Sequence, residues 1–297
     1  MAAEVLPAEA LAWVRRSVGW GTKVVAERRL TGGLASVAHA VQVQPRGGGR
    51  RWLVIRRFVR GNDLRPGAVD MEARVLEALE PTDIPAPVLV ASDASGADAA
   101  APALLMEKLP GRIELRPTRV HEYAEQMGRM LARIHQGPDI DAPPEPTWMW
   151  TRKDPTWPHD PALWKQVDDV LAHRPDTPTR FIHGDYQHFN LLWSAGRLRG
   201  VVDWSLALRG QVARDVGHCR LNLACLHGPE LAERVRRTWE TEMGEPLDPW
   251  WDLFALNAWN AGWRHSLPKQ VGRRIRPDWD GMTERVEALV RLVLRRC

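Results

Sequence analysis

Phe181-Ile182-His183-Gly184-Asp185-Tyr186-Gln187-His188-Phe189-Asn190, followed at a short distance by Val201-Val202-Asp203-Trp204, decides how the chain is read. Asp185, Asn190 and Asp203 each stand beside a short apolar stretch, at 181–182, 191–193 and 200–202, of the kind that forms a buried strand. Asp185 and Asn190 are five positions apart, so a loop between them turns both toward one cleft, and Asp203 returns from the next hairpin. Two carboxylates and an amide are hard oxygen donors. They suit Mg2+, which takes few protein oxygens and completes its shell with substrate phosphates.

Working outward, the 297 residues are 44% hydrophobic and 26% charged, enough for one large or two medium domains with a sizeable core. The longest apolar run, 99–106, is far short of a membrane span, and the first residues lack the order of a signal peptide, so the default location is cytoplasmic, with no membrane partner. Cys219, Cys225 and Cys297 contain no C-x-x-C and support neither a disulfide framework nor a cysteine zinc site. The net charge is +4 and the arginines are dispersed or paired with acids along helices, which argues against a nucleic-acid partner. Two biases stand out: 15 Trp against 2 Tyr and 4 Phe, and only five lysines among 41 basic residues.

The pattern along the chain is sheet first and helix afterwards. A helix is expected at 7–18, with Leu11, Val14 and Val18 on one face, then three antiparallel strands at 23–30, 37–43 and 52–59 separated by glycine turns. Met71, Val75, Leu76 and Leu79 predict a helix over 68–79, stopped by Pro81, Pro85 and Pro87, and 88–91 and 103–107 read as two further strands. Beyond Leu109-Pro110-Gly111 the texture is mostly helical, with 123–135 strongly periodic. Proline density over 138–163, which includes Trp148, Trp150 and Trp157, predicts an irregular insertion.

The spacing of Asp185, Asn190 and Asp203 resembles the protein-kinase catalytic loop H-R-D-x-x-x-x-N and the metal-binding Asp that follows it. More closely, His-Gly-Asp with Asn190, and Val-Val-Asp-Trp after it, resembles the aminoglycoside phosphotransferase (APH) family, kinase-like enzymes that phosphorylate antibiotics and other small molecules. Asp203 falls 13 positions after Asn190, as in that family, and Arg214-Asp215-Val216 resembles the acidic position that buttresses its loop.

The resemblance implies an α+β, bilobal protein-kinase-like fold. Residues 1–108 would be a small antiparallel-sheet N-lobe for the nucleotide phosphates and adenine; 109–297 would be a larger, mainly helical C-lobe with the catalytic loop and acceptor site. ATP or GTP is the implied co-substrate. Asp185 is the implied base, Asn190 and Asp203 the implied Mg2+ ligands, and His183 and Asp215 the implied supports of the loop. The 30–36 turn, with Gly33 and Ser36, corresponds to the phosphate-covering turn, although the same residues also make an ordinary hairpin turn.

Arg56 occupies the place of the kinase lysine and Glu72 that of its partner; Glu72 also suits a solvated helix face. Strand alternation points Arg57 the opposite way. Glu107 and Leu109 fall on the lobe-connecting segment, where adenine meets backbone groups.

The acceptor is not named by these residues. His188, inside the loop, and Trp259 and Trp263, four apart, are candidate acceptor contacts, although tryptophans at helical spacing also pack cores. Glu230, Glu233, Glu240, Glu242, Glu245, Asp248 and Asp252 form an acidic run that a polycationic aminoglycoside would suit. A macrolide, a basic peptide antibiotic or a metabolic alcohol fits as well. The competing readings are a kinase-like nucleotide-binding module without catalysis and a helical protein with a chance motif; monomer and dimer are both open.

Overall fold

The computed structural model describes residues 5–30, 36–59, 67–145, 160–260, 262–272 and 274–297. The chain forms two compact units, Met1–Pro110 and Gly111–Cys297.

The first unit is an antiparallel sheet with a helix on each face. Its elements in chain order are α1 (Ala8–Val18), β1 (Lys23–Arg29), β2 (Val37–Gln44), β3 (Arg51–Arg57), α2 (Ala68–Leu79), β4 (Leu89–Asp93) and β5 (Ala103–Glu107). The strands lie in the order β1-β2-β3-β5-β4. Period-two alternation divides the side chains between the faces. Val41, Val43, Leu53, Ile55, Ala103 and Leu105 pack with Ala10, Trp13 and Val14 of α1. Leu104, Met106 and the partly buried Val54 pack with Val69 and Ala73 of α2. In β3 the even positions therefore face α2. Arg56, opposite Ala38 on β2 and Leu104 on β5, is such a position.

The second unit is mainly helical. It contains α3 (Val120–His135), α4 (Pro161–Leu171), β6 (Arg180–Ile182), β7 (Leu191–Ser194), β8 (Arg197–Val201), β9 (Leu208–Gly210), α5 (Val212–His227), α6 (Pro229–Met243), α7 (Pro249–Leu256), α8 (Trp263–Val271) and α9 (Trp279–Leu294). Its strands make two antiparallel pairs, β6 with β9 and β7 with β8. The fold is thus α+β, with the sheet first in the chain and most of the helix after it.

The expected irregular insertion at 138–163 needs correction at its end, because α4 begins at Pro161. Asp160 caps it by accepting the Leu163 N–H at 3.1 Å, and a proline in the first turn gives up no helical hydrogen bond. Trp148, Trp150 and Trp157 lie outside the described residues.

α3 and α6 cross closely at Gly128, where a Cβ would lie 2.8 Å from the Val235 carbonyl oxygen and 2.9 Å from Thr238 Cβ. Gly128→Leu is expected to force the helices apart and cost about 2–3 kcal/mol in urea unfolding. An unchanged midpoint would show that the crossing yields without penalty.

Candidate active site

The loop after β6 is suspended from behind. The β6–β9 register, Phe181 opposite Arg209 and Ile182 opposite Leu208, delivers the chain toward the first turn of α5. There the Asp215 carboxylate accepts the His183 N–H at 3.0 Å on Oδ2 and the Gly184 N–H at 3.1 Å on Oδ1. Oδ2 also lies 3.3 Å from His135 Nε2, while His135 Nδ1 is 2.9 Å from the Trp239 indole nitrogen. An indole N–H only donates, so Nδ1 is the bare nitrogen and Nε2 carries the proton toward Asp215. Asp215 is buried. Burial alone would raise its carboxyl, but the His135 hydrogen bond and the nearby His135, His183 and Arg214 hold it below the usual carboxylate range.

Gly184 has φ +79°, and a Cβ there would lie 2.0 Å from the Leu206 carbonyl oxygen. Only glycine meets both conditions, which explains the middle residue of His-Gly-Asp. His183 is fully buried. Its Nδ1 accepts the Asp185 N–H at 3.2 Å, so its Nε2–H donates to the Val202 carbonyl at 3.1 Å. Both ring nitrogens are thus committed to backbone groups, a supporting geometry rather than that of a base.

Asp185 is only partly buried, with its side chain 24% exposed. Its Oδ2 accepts the Asn190 side-chain N–H at 2.9 Å, and the same amide nitrogen donates to the Asp185 carbonyl at 2.9 Å. That orientation turns Asn190 Oδ1 away from Asp185. The Val202 N–H donates to the Asn190 carbonyl at 2.9 Å, so Asp203 follows directly beside this pairing. Asp203 takes a left-handed conformation with φ +66°, uncommon for a residue with a Cβ, and its Oδ1 accepts the Ser205 hydroxyl at 2.7 Å.

The Asn190 amide oxygen and the Asp203 carboxylate fit a hard cation that retains water and phosphate oxygens. No group of three or more His, Cys, Asp or Glu side chains suited to a metal occurs among the described residues.

Two further side chains converge on Asp185 Oδ1: Gln187 Nε2 at 2.7 Å and His218 Nε2 at 2.9 Å. Neither was expected from the sequence. Gln187 sits within the loop, and His218 lies three residues beyond Asp215, nearly one turn along α5. That spacing puts the two on one side of the helix and is the signal that could have found it.

His188 is fully buried and neither ring nitrogen has a hydrogen-bond partner among the described residues. Burial drives it well below the ordinary histidine value, reinforced by His227, His218 and Arg274. Trp259 is also fully buried, its ring 5.0 Å from that of Trp263 and its N–H 3.3 Å from the Thr283 hydroxyl. The structure therefore corrects two of the expected acceptor contacts: His188 and Trp259 sit in the interior, because imidazole and indole here fill core volume. Trp263 is half-buried and donates its N–H to the Ala258 carbonyl at 3.2 Å.

In the first unit Arg56 and Glu72 are both buried and form a 2.6 Å ion pair, so Glu72 is not a solvated helix charge. Arg56 Nε also donates to the Ser36 hydroxyl at 2.8 Å. Arg57 turns to the other face and donates from Nε to the Ala99 carbonyl at 3.0 Å. Gly33 lies outside the described residues. Along 107–109 the Glu107 N–H donates to the Val88 carbonyl at 2.8 Å and the Lys108 N–H to the Trp52 carbonyl at 3.1 Å, while the Leu109 carbonyl accepts from the Lys108 ammonium at 3.2 Å. The Glu107 side chain pairs with Arg51 at 2.6 Å.

A sheet unit followed in the chain by a helical unit that carries the His183–Asp203 loop is the architecture of a kinase-like α+β fold. The model of the phosphotransferase enzyme family (APH) matches residues 38–254, and the chain belongs to that family. Among solved structures it is similar to a Ralstonia eutropha JMP134 protein assigned to the aminoglycoside phosphotransferases (20% identity, TM-score 0.63, 98% of each chain covered). It is also similar to the macrolide 2'-phosphotransferase MphH of Brachybacterium faecium (19%, 0.59, 84% of this chain and 88% of that one). A third likeness is to amicoumacin kinase hAmiN in complex with AMP-PNP, Ca2+ and Ami (14%, 0.52, 93% and 88%). At these identities the likenesses establish the fold. The mouse acyl-CoA dehydrogenase family member 10 is 25% identical over 232 residues, which cover 70% of this chain and 22% of that protein. The chain thus spans about a fifth of that relative's length. No described helix is long and apolar enough to cross a membrane.

His227, at the end of α5, lies with its ring 6.2 Å from that of His188, and burial, reinforced by Arg285, pushes it down to about 4. An unfolded histidine titrates near 6.5, so between these values the unfolded chain binds the proton first and stability rises with pH. Urea unfolding is expected to show up to about 3 kcal/mol less stability at pH 4 than at pH 7 from this residue alone. His227→Gln should flatten that dependence; an identical slope in the variant would remove His227 as its source.

Proposed function

We propose that the protein transfers the terminal phosphate of ATP or GTP to a hydroxyl of a small molecule, with Asp185 as the base. The observation that carries this reading is the Asp185 carboxylate, accessible and held by Asn190, with Asp203 returned beside Asn190 by the hairpin. Asp185 orients the acceptor hydroxyl and takes its proton as phosphorus moves. Phosphoryl transfer needs little from a protein beyond positioning and charge stabilisation, and a fixed carboxylate supplies the first.

Asn190 and Asp203 hold Mg2+, which when bound neutralises charge on the phosphate oxygens. Arg56, kept in place by Glu72 and Ser36, contacts the inner phosphates, and Gly33 and Ser36 serve the same phosphates. Arginine at this position offers a planar fork of donors where a lysine would offer a point charge. Backbone groups near Glu107 and Leu109 receive the base. Residues 1–108 form the nucleotide side and 109–297 the catalytic and acceptor side. A cytoplasmic enzyme follows from this use of ATP or GTP.

The charge distribution bears on the acceptor. Glu233 and Asp252 engage the buried Arg220, Glu240 engages Arg236, and Asp252 also engages Arg296. Glu245 pairs with Arg180 at 2.8 Å, and Asp248 caps α7 through the Trp250 N–H at 2.8 Å. These acids already have cationic or N–H partners inside the protein. That favours a neutral or ringed acceptor, such as a macrolide or a metabolic alcohol, over a polycationic aminoglycoside or a basic peptide. Antibiotic resistance is the physiological role if the acceptor is a drug.

The test is a phosphotransfer assay with MgATP and MgGTP against aminoglycosides, macrolides, basic peptides and simple alcohols. Asp185→Ala is expected to lose at least 1,000-fold in kcat, on the order of what positioned proton transfer contributes, while nucleotide binding by calorimetry persists. Asp203→Ala should abolish the Mg2+-dependent part of nucleotide binding. Full turnover in Asp185→Ala would sink the assignment of the base; nucleotide binding with no transfer by the wild-type protein to any acceptor would favour a binding module.

A further inference from the structure

α5 brings to the loop a side chain that no part of the reading above uses. His218 Nε2 lies 2.9 Å from Asp185 Oδ1, and the two side chains are 28% and 24% exposed. Asp185 as a carboxylate only accepts, so Nε2 carries the proton. The Asn222 amide nitrogen lies 3.3 Å from the same Nε2 but donates instead to the His218 carbonyl at 3.0 Å. The backbone under His218 has little room to shift: a Cβ on Gly217 would lie 2.7 Å from Ala255 Cβ and 3.1 Å from the Asp252 carbonyl oxygen.

A carboxylate offers about four lone-pair sites, two on each oxygen. Oδ1 accepts Gln187 at 2.7 Å and His218 at 2.9 Å, and its two sites are filled. Oδ2 accepts Asn190 at 2.9 Å, which leaves one site on that oxygen. Resting on Asp185 as the base, we infer that His218 is a positioning residue for phosphoryl transfer: with Gln187 it saturates Oδ1 and so directs the acceptor hydroxyl to the remaining lone pair of Asp185 Oδ2.

The two donors on Oδ1 differ in what they are tied to. Gln187 belongs to the loop and travels with it, whereas His218 belongs to α5, the helix whose Asp215 holds that loop. The aspartate χ2 torsion is broad, so without an outside reference the plane of the carboxylate tilts at little cost. His218 supplies that reference.

In the transfer step the acceptor O–H gives its proton to Oδ2 while its oxygen bonds to the terminal phosphorus. The bond from phosphorus to the bridging oxygen breaks, and its electron pair leaves with the nucleoside diphosphate. His218 takes no part in these bond changes. It keeps its proton and holds the carboxylate.

The test compares wild type, His218→Phe and His218→Gln as full-length proteins with MgATP, both in transfer to the acceptor panel and in hydrolysis with water as acceptor. His218→Phe is expected to lower kcat by about 10–100-fold, the scale of a misplaced reacting group, with the nucleotide KM and the Tm unchanged. His218→Gln, which restores an N–H donor, should recover most of kcat. A wild-type kcat in His218→Phe, or no recovery in His218→Gln, overturns the role of His218 and leaves phosphotransfer standing. A fall in Tm that tracks the fall in kcat overturns it in favour of a purely structural contact. A wild-type protein with neither transfer nor hydrolysis overturns the phosphotransferase reading and this inference with it.

Discussion

The carboxylate of Asp215 is the fixed point of the helical unit. A buried carboxylate is costly unless its lone pairs are met, and here two backbone N–H groups and the His135 imidazole meet them. The same bonds set the direction in which the chain runs through His183 and Gly184, and that direction decides where Asp185 stands. His135 is in turn held by the Trp239 indole, so the chain of donors runs from α6 through α3 to α5 and ends in the loop. The loop's shape is therefore a property of three packed helices rather than of its own ten residues. Its exposed side carries the Asp185 carboxylate.

Much of this was legible in the sequence because the deciding signals are local. Alternation of apolar residues located the strands of the first unit, and parity within β3 separated Arg56 from Arg57. The order His183, Gly184, Asp185, Asn190, Asp203 has fixed spacings, so a resemblance carried by spacing transfers well. What the sequence did not reveal depends on contacts between distant segments. β9 is three residues long and exists because β6 lies beside it. α4 was hidden because proline was read as a breaker, whereas Pro161 behind the Asp160 cap starts a helix. His188 looked available because it lies in a polar loop, yet its ring turns inward. His218 lies outside the loop in sequence, and its meeting with Asp185 becomes visible only when α5 is laid along the loop.

Two compositional biases also gain a physical explanation. Trp13, Trp164, Trp193, Trp204, Trp239, Trp250, Trp251 and Trp259 are buried, whereas Trp20 is exposed, so the tryptophan excess largely supplies interior volume. The arginines do work that lysine does poorly. Arg220 is fully buried and meets both Asp252 and Glu233, a task suited to a planar fork of donors. Of the acidic run that reads in sequence as a surface for cations, Glu233, Glu240 and Asp252 are, in the folded chain, partners of these arginines.

The division of β3 between two helices makes its two arginines distinct by parity alone. Arg56 meets Glu72 and Arg57 meets the Ala99 carbonyl only while β3 keeps its present register with β2 and β5. A slip by one residue would exchange every side chain between the faces. It would hand the guanidinium beside Glu72 to a neighbour without changing a single residue type. The glycine turn at 47–49 joins β2 to β3, so its length is under a constraint that its sequence does not display: an added residue there is tolerated only if the turn absorbs it before Arg51.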